Sequence, residues 1–196
     1  FDYGVRVDNR DKAYMPTSGH IASFRQTVPL YADSPYLRNQ FTLSKYNSFG
    51  ESIIGSFKIF AAAINGLSNE DVRLSKRTRI PSNRLRGFVP GRVGPLDNKD
   101  WVGGNYSAAI NFETNLPKLL PESSKTDVGL FLDIGNIWGV DYDDSIDDSN
   151  KLRSSVGINT SWLSPVGPMS FVLSQNLTKA STDETQSFTF NLGTTF

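Results

Sequence analysis

Tyr106-Ser107-Ala108-Ala109-Ile110-Asn111-Phe112-Glu113-Thr114-Asn115-Leu116 alternates without a break. Tyr106, Ala108, Ile110, Phe112, Thr114 and Leu116 share one face, and Ser107, Ala109, Asn111, Glu113 and Asn115 the other, which is the period of a β-strand with one apolar and one polar side. Residues 152–162 repeat the pattern, with Leu152, Ser154, Val156, Ile158, Thr160 and Trp162 opposite Arg153, Ser155, Gly157, Asn159 and Ser161. The last residues do so again: Phe188, Phe190, Leu192, Thr194 and Phe196 lie opposite Ser187, Thr189, Asn191 and Gly193. Working outward, segments at 2–8, 19–30, 36–46, 52–64, 126–138 and 169–177 complete about nine predicted strands, split by clusters of Gly, Pro, Asn, Asp and Ser.

A soluble β-sandwich also alternates. Here, however, the apolar face carries aromatics near strand ends (Tyr106, Trp162, Phe196), and the opposite face is Gly, Ser and Asn with isolated charges. That arrangement predicts an antiparallel transmembrane β-barrel with lipid outside and a polar lumen. No window approaches the roughly 18 consecutive apolar residues of a membrane-spanning helix, whereas barrel strands escape that test because only every second residue is apolar. Bacterial single-chain barrels have an even number of strands, so about nine of them predict that preceding strands are absent from this chain.

Composition removes other classes. Lys plus Arg and Asp plus Glu both number 20, so no basic excess points to nucleic acid. Cysteine is absent, which excludes disulfides, thiolate metal sites and cysteine nucleophiles. His20 is the only histidine, so no histidine pair can build a zinc site, and with no Gly-x-Ser-x-Gly elbow a serine hydrolase is not expected. His20 reads as a surface or interface residue at a strand start. Asp141, Asp143, Asp144, Asp147 and Asp148 lack the Gly and terminal Glu of a calcium loop and read as a solvated hairpin tip. Asn176-Leu177-Thr178 spells a glycosylation acceptor but carries no meaning in a bacterial strand. No metal, cofactor or enzymatic activity is expected.

One interruption, at about 66–104, is basic, punctuated by Pro and Gly, and far longer than a hairpin loop of about 2 to 5 residues. It contains Leu85-Arg86-Gly87-Phe88, then Gly94-Pro95 and Gly103-Gly104-Asn105. This stretch resembles the arginine-glycine-aromatic motif in the sixth extracellular loop of the BamA family. Glu113, Asp133 within Phe131-Leu132-Asp133-Ile134-Gly135-Asn136-Ile137-Trp138, and Trp162-Leu163-Ser164-Pro165-Val166-Gly167-Pro168 are similar to that family in the same order. So are Asp8-Asn9-Arg10-Asp11 and Pro16-Thr17-Ser18-Gly19 at an early turn. Residues 77–83 lack the paired glycines usual before the motif, and Leu85 replaces the usual Val or Ile.

By parity Glu113 and Asp133 both point into the lumen, where two acids on neighbouring strands need a positive partner. Arg86 is the candidate: its planar fork of donors suits carboxylates, and Gly87 permits a tight turn at a loop tip. The resemblance implies that Arg86 docks on both acids. It further implies that residues 1–196 are about the last nine strands of a 16-stranded barrel in the bacterial outer membrane, without the periplasmic POTRA domains. The implied function is assembly of outer-membrane proteins: client strands would be templated at a lateral seam whose carboxyl-terminal strand holds Phe188, Phe190, Leu192, Gly193 and Phe196. Implied partners are outer-membrane lipids, nascent β-barrel proteins and accessory lipoproteins. A transporter of the two-partner-secretion type, or a passive structural barrel or porin, is the alternative.

Overall fold

A computed structural model describes residues 1–29, 34–165 and 167–193. Nine strands form one antiparallel sheet in chain order: β1 (Asp2–Asp8), β2 (Gly19–Thr27), β3 (Tyr36–Phe49), β4 (Ile53–Gly66), β7 (Tyr106–Asn115), β8 (Thr126–Trp138), β9 (Arg153–Ser164), β10 (Gly167–Thr178) and β11 (Phe188–Leu192). Two short strands, β5 (Leu96–Asp97) and β6 (Asp100–Trp101), pair as a small hairpin inside the long loop. Sequence reading missed that hairpin, because two-residue strands are too short to show a period. The expected strands all form, with shifted ends; Leu30, Val166, Thr194 and Phe196 lie outside the described residues.

The register fixes which side chains meet. Glu113 sits opposite both Ser56 and Phe131, Asn111 opposite Lys58 and Asp133, and Phe131 opposite Gly157. These residues share the inner face, where Asn111, Asp133 and Ser155 are fully buried. On the outer face, Val5 is 67% exposed, Leu130 51%, Leu173 57% and Phe190 47%. Such a row of large bare apolar side chains on strand after strand is stable against lipid and would associate in water. Tyr106 and Trp138 meet on this face near the long-loop end, with ring centroids 5.9 Å apart, and Tyr106 Oη donates to Asn65. An aromatic rim of this kind is where amphipathic rings settle at a membrane interface.

The inner face differs from the uniformly polar lumen that alternation predicts. Its third nearest the long loop carries Phe60, Ala62, Ile64, Ala109 and Ile137, all buried. The long loop covers four of them: Leu85, Phe88 and Val93 cluster with Ile137, while Ile80 packs against both this cluster and Phe60, Ala62 and Ala109. Those inner positions are apolar because a loop, not water, lies over them.

Candidate functional site: a loop docked on the inner face

The tip of the long loop is built around Gly87, whose φ of +88° only glycine adopts without strain. A Cβ there would also press on Ser174 Oγ at 3.1 Å and on Asn176 and Ser155 at 3.3 Å. The turn directs Arg86 down onto β8. Arg86 Nε and Nη2 each donate to Asp133 at 2.8 Å, and the Arg86 backbone N–H donates to Oδ2 of the same carboxylate at 3.0 Å. Asp133 has no exposed side-chain surface, so this fork is a charge-assisted pair shielded from water. The guanidinium also lies 3.6 Å from the centroid of the Phe131 ring, a cation–π contact. Gly157 makes room for that ring: a Cβ there would stand 2.6 Å from Phe131 Cζ and 2.1 Å from the Leu173 carbonyl oxygen.

The two acids are not equivalent. Arg86 Nη1 reaches Glu113 only at 3.6 Å, while Lys58 Nζ pairs with Glu113 Oε2 at 2.9 Å and Asn159 Nδ2 donates to Oε1 at 2.9 Å. Asp133 takes Arg86, and Glu113 takes chiefly Lys58. Two carboxylates thus meet two cations, which removes the repulsion that unpaired buried acids would suffer. Asn111 joins the layers, donating to both Asp133 Oδ1 and the Arg84 carbonyl at 2.8 Å. Carbonyls of the turn are held as well. Ser155 Oγ donates to the Arg86 oxygen at 2.5 Å, and Asn176 Nδ2 to the Gly87 oxygen at 3.0 Å. Leu85 and Phe88 flank the arginine and are buried in the apolar cluster beneath the loop.

Lys58, Asn111, Ser155 and Asn176 were not given a role at the loop from sequence. Strand parity places each, with Phe131, on the inner face, but only tertiary contact shows that they serve the loop. The acidic run is corrected. Asp141 accepts from the Val72 N–H at 2.8 Å, from Asn105 at 3.0 Å and from Arg77. Asp147 accepts from the Gly139 N–H at 2.6 Å, and Asp148 pairs with Arg153 at 2.5 Å. Burial alone would raise the Asp141 carboxyl, but the hydrogen bonds from Asn105, Val72 and Arg77 outweigh it and hold the group below its ordinary value. Asp144 is exposed as a solvated tip requires, and Asp143 caps a single 3₁₀ turn there through the Ser145 N–H. His20 is half-buried on β2, opposite Lys45.

At the far edge, Phe188, Phe190 and Leu192 point outward and are exposed. Gly193 has φ +106° and donates its N–H to the Pro168 carbonyl at 2.8 Å. Phe196 lies outside the described residues.

An apolar outer face, a loop folded onto the inner face and an arginine-glycine-phenylalanine tip together define an outer-membrane β-barrel of a particular kind. The family model described as the Omp85 superfamily domain matches residues 1–196, and the chain belongs to that superfamily. Within it, the chain is 28% identical over 199 residues to the outer membrane protein assembly factor BamA of Neorickettsia risticii, covering 99% of this chain and 27% of that protein. It is 34% identical over 139 residues to BamA of Neisseria meningitidis serogroup B, covering 57% of this chain and 17% of that one. In structure it matches BamA from Haemophilus ducreyi lacking POTRA domains 1-3, with a TM-score of 0.86 and 24% identity, over 96% of this chain and 41% of that chain. The fold is therefore that of an Omp85 outer-membrane barrel, and it matches the barrel of BamA. The chain spans about a quarter or less of the length of these two sequence relatives.

Proposed function

We propose that this chain is the seam-bearing part of an outer-membrane protein assembly factor, in which β11 offers its edge to incoming strands of client β-barrels. The observation that carries the reading is the ladder of β11. Among the described residues its register with β10 runs from Met169↔Leu192 to Leu173↔Phe188, with one further main-chain bond at each end, whereas β3 pairs with β4 from Tyr36↔Gly66 to Phe49↔Ile53. A strand held by a short ladder is the one most readily exchanged for another, and an exposed edge recruits strands through main-chain hydrogen bonds. No covalent step is required, so no catalytic group is invoked; burial of the client's own apolar surface drives insertion.

In this reading the long loop lies at the extracellular end, and the Arg86–Asp133 dock holds the barrel in the shape that accepts strands. The partners are nascent β-barrel proteins, the surrounding lipids and accessory lipoproteins, and the preceding chain supplies the remaining strands and periplasmic POTRA domains. The test uses the full-length protein in lipid vesicles with an unfolded outer-membrane β-barrel as client. Folding of the client is expected to run faster than in empty vesicles, and Arg86→Glu is expected to remove the gain. Equal rates with and without the protein would overturn the proposal.

A further inference from the structure

A second buried ion pair lies away from Arg86. Arg153, the first residue of β9, and Asp183, in the connection between β10 and β11, both have side chains with no exposed surface. Arg153 Nε donates to Asp183 at 2.9 and 3.1 Å, and Nη2 donates at 2.9 Å. The remaining guanidinium donors reach Asn136 at 2.6 Å and Asp148 at 2.5 Å. Asp183 accepts two further bonds, from the Ala180 N–H at 2.7 Å and from the Gly94 N–H at 3.3 Å. One carboxylate therefore ties the sheet, the long loop and its own connection together.

The residues that follow Asp183 do not continue the sheet. The Val89 N–H donates to the Glu184 oxygen at 2.9 Å, the Glu184 N–H to the Arg92 oxygen at 3.1 Å, and the Gln186 N–H to the Gly87 oxygen at 3.1 Å, with Phe88 bridged to Thr185. Residues 184–186 thus form a ladder with 87–92 of the long loop. Beyond the bond from the Ser174 N–H to the Ser187 oxygen at 2.8 Å, the β11-side edge of β10 at residues 175–178 has no strand partner among the described residues. Ser174 Oγ on β10 still donates to the Gln186 oxygen at 3.2 Å, and before that point the chain entering β11 runs along the loop.

We infer that Arg153 and Asp183 are positioning residues that hold residues 184–186 on the long loop and off the edge of β10, so that loop docking sets how far β11 is zipped. The inference deepens the proposed function, because it rests on β11 being the seam strand. With the pair intact, the connection is anchored to Gly94 and its neighbours, and β11 stops short. Without it, Arg153 keeps Asp148 as its charged partner, and the connection loses its charge-assisted tie to the sheet. Residues 184–186 can then return to the open main-chain groups of β10, and the ladder of β11 lengthens toward Thr178.

Arg92 and Glu184 are bonded partners across the loop ladder, with half-exposed side chains whose charged ends lie 2.7 Å apart. The chain has no cysteine, so Arg92→Cys with Glu184→Cys gives a disulfide reporter in the full-length protein in its membrane, scored only on molecules whose gel mobility shows a folded barrel. The reporter is expected to oxidise readily in the parent and about tenfold less in Asp183→Asn, with a smaller drop in Arg153→Lys. The milder Arg153→Lys carries the test if Asp183→Asn does not fold. Unchanged crosslinking in the variants that fold would overturn the inference. Client assembly is read separately: reduced crosslinking in a protein that never accelerates client folding would keep the positioning role and sink the assembly reading.

Discussion

Arg86 grips Asp133 through its guanidinium and its own backbone N–H at once, 2.8 to 3.0 Å from the same carboxylate. Charge and chain direction are therefore fixed on one group: the same carboxylate holds the guanidinium and the backbone at the turn. Arg86→Lys keeps the charge but loses the fork, and is expected to destabilise the docked loop by about 1.5 to 3 kcal/mol. Arg86→Glu leaves Asp133 buried against a like charge and is expected to cost at least about 3 to 5 kcal/mol. Both are read as the temperature at which the folded gel band converts to the unfolded one.

Phe131 supplies the floor beneath that guanidinium. Phe131→Leu keeps an apolar side chain but removes the ring face, and is expected to lower loop stability by about 1 to 2 kcal/mol through the lost cation–π contact. Protease sensitivity within residues 66–104 reports the change. An unaltered cleavage rate would mean that the ring acts only as filler.

Gly157 predicts a loop defect from a residue that never touches the loop tip. Even Gly157→Ala must displace both the Phe131 ring and the β10 backbone, at a cost of about 1 to 3 kcal/mol. The expected signature is weakened docking of Arg86 in a barrel that still folds, and adding Phe131→Leu should recover part of the loss.

The turn between β1 and β2 gives a pH dependence. The Thr17 hydroxyl, at 2.6 Å, and the Ser18 and Thr17 N–H groups hold the Asp11 carboxyl at about 2, against an ordinary 3.8. A carboxyl depressed on folding stabilises the turn above its unfolded value, and that contribution is lost as pH falls through the folded one. Exchange protection of the Thr17 and Ser18 amides should thus persist near pH 4, decline between about 3.8 and 2, and be absent at every pH in Asp11→Ala, which has no acceptor.

Alternation carried the architecture, because a strand's two faces are written in every second residue: Phe112 against Glu113, Leu132 against Asp133. The same parity placed Glu113 and Asp133 on one side. It could not divide them between Lys58 and Arg86, since which cation meets which acid depends on where a long aperiodic loop comes to rest. Nor could it show that Phe60, Ala62 and Ile137 lie beneath that loop, because an apolar inner residue reads as a break in the pattern until its cover is known. The acidic run at 141–148 misled for a related reason. Its partners Arg77 and Arg153 are distant in sequence or masked by a strand, so composition alone resembles a solvated tip.

The connectivity of the docked loop also imposes an order of events. Every strand pairs with its predecessor in the sheet, so the sheet can grow residue by residue as the chain becomes available. Arg86 must wait for Asp133, 47 positions later, and Gly94 for Asp183, 89 positions later. The loop is thus made before the last five strands of the sheet and finished only after Asp183 is in place. Its final contacts act as a checkpoint, completed only when the strands behind it have taken their places.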